Sequence, residues 1–189
     1  EPHTPRVTTV LFDPDRPGAI WAGVEVGGVF TTSDLGRIWS ALNEHLPSLD
    51  IHALVLAGDR TLLTATPRGV AGYRGGHWVL SPSESPDRYF RALVQKPGNG
   101  STLYAGLGNG PPGTRGTVLV STDNGQSWSE TGFPGAGSSV WALATDPHEP
   151  ELLVAAAIKG EIFTSLDSGQ SWARASRKFV EVRAVACAA

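Results

Sequence analysis

The chain has 189 residues, of which 40% are hydrophobic and 17% are charged, a composition typical of a globular domain and not of a disordered chain. Its formal net charge of −3 provides no basic excess, so we expect no nucleic acid partner. No apolar run is long enough to span a bilayer, and we therefore expect no membrane partner.

Cysteine and histidine usage argues against a metal centre. The only cysteine, Cys187, excludes an intrachain disulfide and a cysteine-based metal cage. The histidines other than His52 show no ligand spacing, so neither a metal nor a cofactor is expected. The chain contains no methionine, which predicts a mature product, a fragment or a trimmed chain; an exported protein without its signal peptide fits this too, and the compartment stays open.

Short β-branched and aromatic runs separated by turn residues follow one another along the whole chain. The first unit reads "VTTVLFDP", "AIWAGVEVG", "GVFTTSD" and "RIWSAL", which predicts four strands joined by tight turns. Similar units recur with a period of about 40 to 50 residues. We place them at about 7–40, 51–80, 90–130 and 140–174, with a final strand at 181–188.

The strand that opens each unit is apolar on both faces. It recurs as "DIHALVLAG", "YFRALVQKP", "VWALATDP" and "VRAVACAA". Such runs are expected where a sheet is packed between two neighbouring sheets. The fold class predicted is therefore all-β, with four sheets and one extra strand.

An octet repeats between the third and fourth strands of these units. It reads "TSDLGRIW" at 32–39, "STDNGQSW" at 121–128 and "SLDSGQSW" at 165–172, with a degenerate copy, "AGYRGGHW", at 71–78. We expect a hairpin clamp in which the aspartate accepts loop N–H groups, the glycine takes a positive φ and the tryptophan covers the turn. These structural residues are Asp34, Gly36, Trp39, Asp123, Gly125, Trp128, Asp167, Gly169 and Trp172.

Octets of this form, on blade-length spacing, resemble those of the Asp-box (BNR-repeat) β-propellers, which include sialidases, the sortilin ectodomain and photosystem II assembly factors. The resemblance implies antiparallel four-stranded blades, with the octets on the face away from the functional site. About four blades and one strand leave an open arc with exposed edges. The chain could belong to a longer propeller, close by swapping a terminal strand, or complete a ring as a homo-oligomer.

A channel site is expected on the face opposite the octets. The equivalent position near the start of each inner strand holds His52, Arg91, Trp141 or Arg183, and the hairpins between second and third strands hold Glu25, Arg68 and Lys159. Convergent cations and aromatic groups suit a small anion, a carbohydrate or a protein partner. In the simpler alternative the arginines only pair with Glu25, Asp50, Asp87 and Glu181.

Two functions remain open on the sequence. The first is a ligand- or partner-binding propeller. The second is a sialidase-like glycoside hydrolase acting on an acidic sugar, in which Arg68, Arg91 and Arg183 would clamp a carboxylate and Tyr89, Glu181 and Asp50 would supply the other groups. The family's Arg-Ile-Pro signature is absent and the units are too few for a six-bladed enzyme, which favours binding and leaves catalytic residues unidentified.

Overall fold

The computed structural model describes residues 4–187, which form sixteen β-strands and no helix. Four antiparallel four-stranded sheets follow one another, each with its strands in chain order, and the all-β, propeller-like class is confirmed. Blades 1 and 2 contain β1 (Arg6–Phe12), β2 (Ile20–Glu25), β3 (Gly28–Thr32), β4 (Ser40–Ala41), β5 (Ala53–Leu56), β6 (Leu62–Thr66), β7 (Gly69–Arg74) and β8 (His77–Leu80). Blades 3 and 4 contain β9 (Tyr89–Lys96), β10 (Asn99–Gly108), β11 (Gly116–Ser121), β12 (Ser129–Glu130), β13 (Val140–Thr145), β14 (Leu153–Ala157), β15 (Ile162–Ser165) and β16 (Ala173–Arg174).

The blades pack face to face around their inner strands, with β1 against β5, β5 against β9 and β9 against β13. We call the face of a blade that meets the preceding blade its leading face, and the other its trailing face. Three apolar clusters fill the boundaries between blades. All five residues of β6 are buried, which explains why the middle strands are apolar without alternation.

The C-terminal segment, residues 175–187, follows blade 4 but belongs to no strand. The fifth inner strand predicted at 181–188 is therefore not formed over 181–187, and residue 188 lies outside the described residues. Phe179 N–H donates to the Gly160 carbonyl at 2.9 Å and Val182 N–H to the Ile158 carbonyl at 3.1 Å. These two bonds hold the segment beside blade 4. They do not amount to a strand, because a β-ladder needs a continuous series of bonds between two strands.

Each full octet forms a hairpin organised by its aspartate. The Asp123 carboxylate accepts the backbone N–H groups of Gln126 and Ser127 at 2.9 and 3.0 Å, and the hydroxyl of Ser127 at 2.6 Å. Gly125 has φ of 74° and donates its N–H to the Ser121 hydroxyl at 2.8 Å. The octets of blades 1 and 4 repeat the bonds from loop amides to the aspartate.

The octet also seals the boundary with the preceding blade. Trp128, in blade 3, is 1% exposed, whereas the equivalent Trp39 in blade 1 is 41% exposed. A side-chain carbon on Gly125 would lie 2.4 Å from Leu63 of blade 2, but near Gly36 the nearest atoms all belong to Trp39. The difference arises because blade 1 has no preceding blade among the described residues.

Blade 2 carries only the degenerate octet, and its hairpin is a two-residue turn at Gly75 and Gly76, both with positive φ. The short turn leaves a cleft of about 490 Å³ between blades 1 and 2, bounded by Trp21 and Asp34 on one side and by Tyr73 on the other. The tryptophan of this unit, Trp78, nevertheless packs on blade 1 and donates its indole N–H to the Leu42 carbonyl at 2.5 Å.

Replacing Trp128 with alanine should lower the free energy of unfolding by about 3 to 5 kcal/mol, because a fully buried indole is lost from a boundary between blades. Trp39→Ala, the matched control in the exposed octet, should cost less than half of that. Urea unfolding followed by circular dichroism measures both. Equal losses for the two variants would contradict the role of the preceding blade in burying the octet.

Replacing Ser171 with alanine should change the pH dependence of stability. Hydrogen bonds from the Ser171 hydroxyl and N–H, and from Ser165, lower the pKa of Asp167 to about 2. A carboxyl whose pKa is lower in the folded than in the unfolded chain, about 4, stabilises the fold above pH 4 and loses that effect as the pH falls toward 2.

Ser171→Ala should therefore be less stable than the parent chain at pH 6, with the difference shrinking between about pH 4 and pH 2. Carboxyl NMR titration should show the pKa of Asp167 moved upward. Ser176→Ala, at an exposed serine outside the octets, is the control and should alter neither quantity. A pH-independent difference would contradict the assignment to Asp167.

Candidate functional site

A cleft of about 660 Å³ lies at the edge of the sheets where the inner strands begin. Because neighbouring strands are antiparallel, the octets, which connect third and fourth strands, lie at the opposite edge. The cleft brings together five of the residues singled out in the sequence: Glu25, His52, Arg91, Trp141 and Arg183. Its lining also includes Arg6, Thr8, Asp50, Tyr89 and Pro111.

Two predicted residues do not line this cleft. Arg68 lies in the tight turn between β6 and β7, where its backbone N–H donates to the Thr66 hydroxyl at 3.1 Å. Lys159 lies in the hairpin between β14 and β15, and its ammonium group donates to the Gly113 carbonyl at 3.0 Å. Both residues lie at the same edge of the sheets as the cleft but do not line it. The structure therefore brings together five of the seven predicted residues.

Arg91 and Trp141 form a stacked pair from neighbouring inner strands. The guanidinium carbon of Arg91 lies 4.2 Å from the centroid of the Trp141 ring, a distance typical of a cation–π contact. The Arg91 cation also lies near Tyr89, where it favours the ionised phenol and so acts to lower its pKa. Within residues 4–187 it forms no ion pair with a carboxylate, so its charge is available to a ligand.

The other arginines of the cleft are paired with acids, as the simpler alternative expects. Arg6 contacts Glu25 at 2.5 Å and Arg183 contacts Glu181 at 2.6 Å. These pairs hold carboxylates beside the cationic groups at two margins of the cleft. Among the described residues, Arg91 is the cleft arginine that forms no ion pair with an acid.

His52 has a defined tautomer. Its Nδ1 lies 2.5 Å from the Phe90 carbonyl oxygen, and since a carbonyl only accepts, Nδ1 carries a proton. Nε2 is buried and lies 3.4 Å from Oδ1 of Asp50. The imidazole ring packs on the Tyr89 ring, with centroids 4.8 Å apart. His52 therefore supports Tyr89 within the cleft.

Tyr89 is poorly suited to act as a nucleophile. Burial raises the pKa of its phenol above the ordinary value, and the nearby Arg91 cation only partly opposes this. The ring lies between His52 and Trp141, 6.2 Å from the centroid of the latter. Its role in the cleft is therefore that of a neutral aromatic surface with a hydroxyl group.

Arg6 is the charged cleft residue that the sequence reasoning missed. No simple strand alternation relates it to the predicted positions, because the register of β1 against β2 shifts between Val7 and Thr9. Among the described residues, no group of three His, Cys, Asp or Glu side chains could hold a metal ion. The part of the chain between residues 4 and 187 contains no helix that could cross a bilayer.

No known protein family matches this sequence, and no curated protein matches it. Several solved structures are similar to it in fold. An ancestral GH74 enzyme has a TM-score of 0.73 at 22% identity over 88% of this chain and 23% of its own. A GH74 xyloglucanase from Xanthomonas campestris has a TM-score of 0.68 at 18% identity over 95% and 33%. YCF48 bound to a D1 peptide has a TM-score of 0.52 at 18% identity over 88% and 56%.

These likenesses establish the propeller fold. The chain spans about a quarter to a third of the two GH74 proteins and about half of YCF48. At identities of 18% to 22%, the likeness concerns the fold alone.

The tautomer of His52 predicts an NMR signature. Nδ1 should show the ¹⁵N shift of a protonated nitrogen at every pH at which the protein is folded, because the Phe90 carbonyl always requires a donor. The exposed His45 and His77 are internal controls and should show averaged tautomers when neutral. A pyridine-type shift at Nδ1 of His52 would show that the contact with Phe90 is not a hydrogen bond.

Proposed function

We propose that the chain is a segment of an Asp-box propeller and that it binds a carboxylate-bearing ligand in the cleft around Arg91. The observation that carries the proposal is the stacked guanidinium of Arg91, which is half-buried and forms no ion pair with a carboxylate among residues 4–187. A guanidinium binds a carboxylate through two parallel hydrogen bonds. Trp141 and Tyr89 offer apolar surface for the remainder of the ligand.

The Asp-box part of the proposal is supported by the octets themselves. In blades 1, 3 and 4 an aspartate at the third position accepts loop N–H groups and a glycine at the fifth position has positive φ. The same local structure at three equivalent places makes it a property of the repeat. This leaves the opposite edge of the sheets, which varies between blades, for recognition.

Two sources of the carboxylate fit the cleft, an acidic sugar and the free C-terminus of a peptide. The neutral aromatic face of Trp141 can stack on either ligand. The YCF48 structure contains a bound D1 peptide, so a propeller of similar fold can hold a peptide. Hydrolysis of an acidic sugar is less well supported, since Arg68 is outside the cleft and the pKa of Tyr89 is raised.

Arg91→Ala should weaken binding of a carboxylate ligand by about 10- to 100-fold, because a charge-assisted hydrogen bond is lost from the cleft. Isothermal titration with N-acetylneuraminate and with a short peptide ending in a free carboxylate measures this and separates the two sources. Arg68→Ala, an arginine at the same edge but outside the cleft, should leave the affinity unchanged.

Two further probes control for the carboxylate itself. The amidated peptide and a neutral monosaccharide should bind at least about tenfold more weakly than their acidic counterparts. No binding of either acidic probe, or equal loss in Arg91→Ala and Arg68→Ala, would contradict the proposed site.

A further inference from the structure

The cleft of about 490 Å³ between blades 1 and 2, here called the boundary cleft, has a counterpart at the other two boundaries between blades. There the octet turn of the following blade packs on the second strand of the preceding one. Gly125 of the blade 3 octet lies so close to Leu63 that a side-chain carbon on it would be 2.4 Å away. The Tyr104 hydroxyl donates to the carbonyl of Ser168, in the blade 4 octet, at 3.1 Å.

Trp21 holds the equivalent position in blade 1. It pairs with Thr31, as Tyr104 pairs with Val120, and in both cases the partner is the residue directly before the octet. The octet that would cover Trp21 is the degenerate one of blade 2, where a two-residue turn replaces the longer loop. Trp21 therefore lines the boundary cleft instead of meeting an octet.

The indole of Trp21 keeps a hydrogen-bond donor without an acceptor. The residue is 7% exposed, and among residues 4–187 no group accepts its Nε1–H. This nitrogen is accessible, because the fully buried side-chain nitrogens without a partner in the same part of the chain belong to His52 and Trp128. A ligand oxygen in the boundary cleft would supply what the Ser168 carbonyl supplies to Tyr104.

The charged groups that line the boundary cleft are already engaged. Arg16 and Arg60 each contact the Asp13 carboxylate at 2.6 Å. Asp34 accepts two backbone N–H groups of its own octet at 2.9 and 3.0 Å. An ionic ligand would have to compete with these partners, so the lining favours a neutral one.

The rest of the lining combines aromatic surface with hydroxyl groups. Trp21 lies on the blade 1 wall and Tyr73 on the blade 2 wall, and the cleft is also bordered by Thr31, Ser33 and Ser40. Aromatic rings pack on apolar faces, and hydroxyls both donate and accept hydrogen bonds. A sugar ring offers C–H groups on its faces and hydroxyls around its rim. The volume is that of a small-molecule site, for which about 300 to 1,000 Å³ is usual.

We infer that the boundary cleft binds a neutral saccharide, which packs against Trp21 and accepts its indole N–H. This site is separate from the cleft around Arg91. It lies at the edge of the sheets that carries the octets, and it recognises hydroxyl groups and an apolar ring face, whereas the Arg91 cleft recognises a charge. The ligand takes the place that an octet turn occupies at the other boundaries.

Isothermal titration with cellobiose, maltose and lactose tests the inference on the whole 189-residue chain. At least one of these neutral disaccharides should bind with a dissociation constant below about 1 mM. Ser40→Tyr, which adds a ring inside the cleft from an exposed position on β4, should weaken that binding by about tenfold or more. Ser129→Tyr, at the equivalent exposed position of blade 3, is the matched control and should leave it unchanged.

Tryptophan fluorescence identifies the contact. Binding should change the emission of the parent chain. Trp21→Phe, which keeps an aromatic ring in the core but has no N–H, should bind about fivefold more weakly and lose the change. Trp39→Phe, at a tryptophan outside the cleft lining, should retain both. Absence of binding by all three disaccharides would overturn the inference, as would equal affinity in the parent chain and Ser40→Tyr, or an emission change that survives Trp21→Phe.

Discussion

Face-to-face packing of sheets that are apolar on both sides is the constraint on which this structure depends. In blade 2 all five residues of β6 and the first four of β7 are buried, and such a sheet is stable only between two neighbours. Stability therefore comes from boundaries more than from individual blades. Among residues 4–187 nothing covers the leading face of blade 1, where Phe12 and Trp39 are exposed.

The same packing creates the cleft. Inner strands that lie side by side bring the residues near their first positions together at one edge, although His52, Arg91 and Trp141 are far apart in the sequence. Each blade contributes one such side chain, and the repeat fixes their spacing while leaving their identity free. Chemistry can thus vary at this edge while the octets at the other edge hold the scaffold.

The sequence was sufficient for features whose interactions are local or repeated. The bonds to Asp123 come from residues within four positions of it, so the hairpin could be predicted from the octet alone. The fold class followed from the period of the repeat. The five cleft residues could be grouped because equivalent positions on neighbouring blades lie at one edge, which is a consequence of topology.

Other features depended on contacts that no repeat encodes. Lys159 is held outside the cleft by the Gly113 carbonyl in a long loop that only blade 3 possesses. Residues 181–187 have the sequence of an inner strand, but a strand exists only if another strand pairs with it. The sequence also could not predict that Arg91 forms no ion pair among the described residues. Several acids were available as partners, and only the geometry shows which arginine each acid contacts.

The two-glycine turn of blade 2 has a consequence for how the chain opens. It shortens the hairpin that elsewhere covers the boundary with the preceding blade, so blades 1 and 2 are held together by the apolar cluster that includes Trp21 and Trp78 and by the Arg60–Asp13 ion pair. Among residues 4–187, blade 1 also has no blade packed against its leading face. In the terms of native-state hydrogen exchange it is the natural first foldon, a unit whose amides exchange through a partial opening while blades 2 to 4 stay protected.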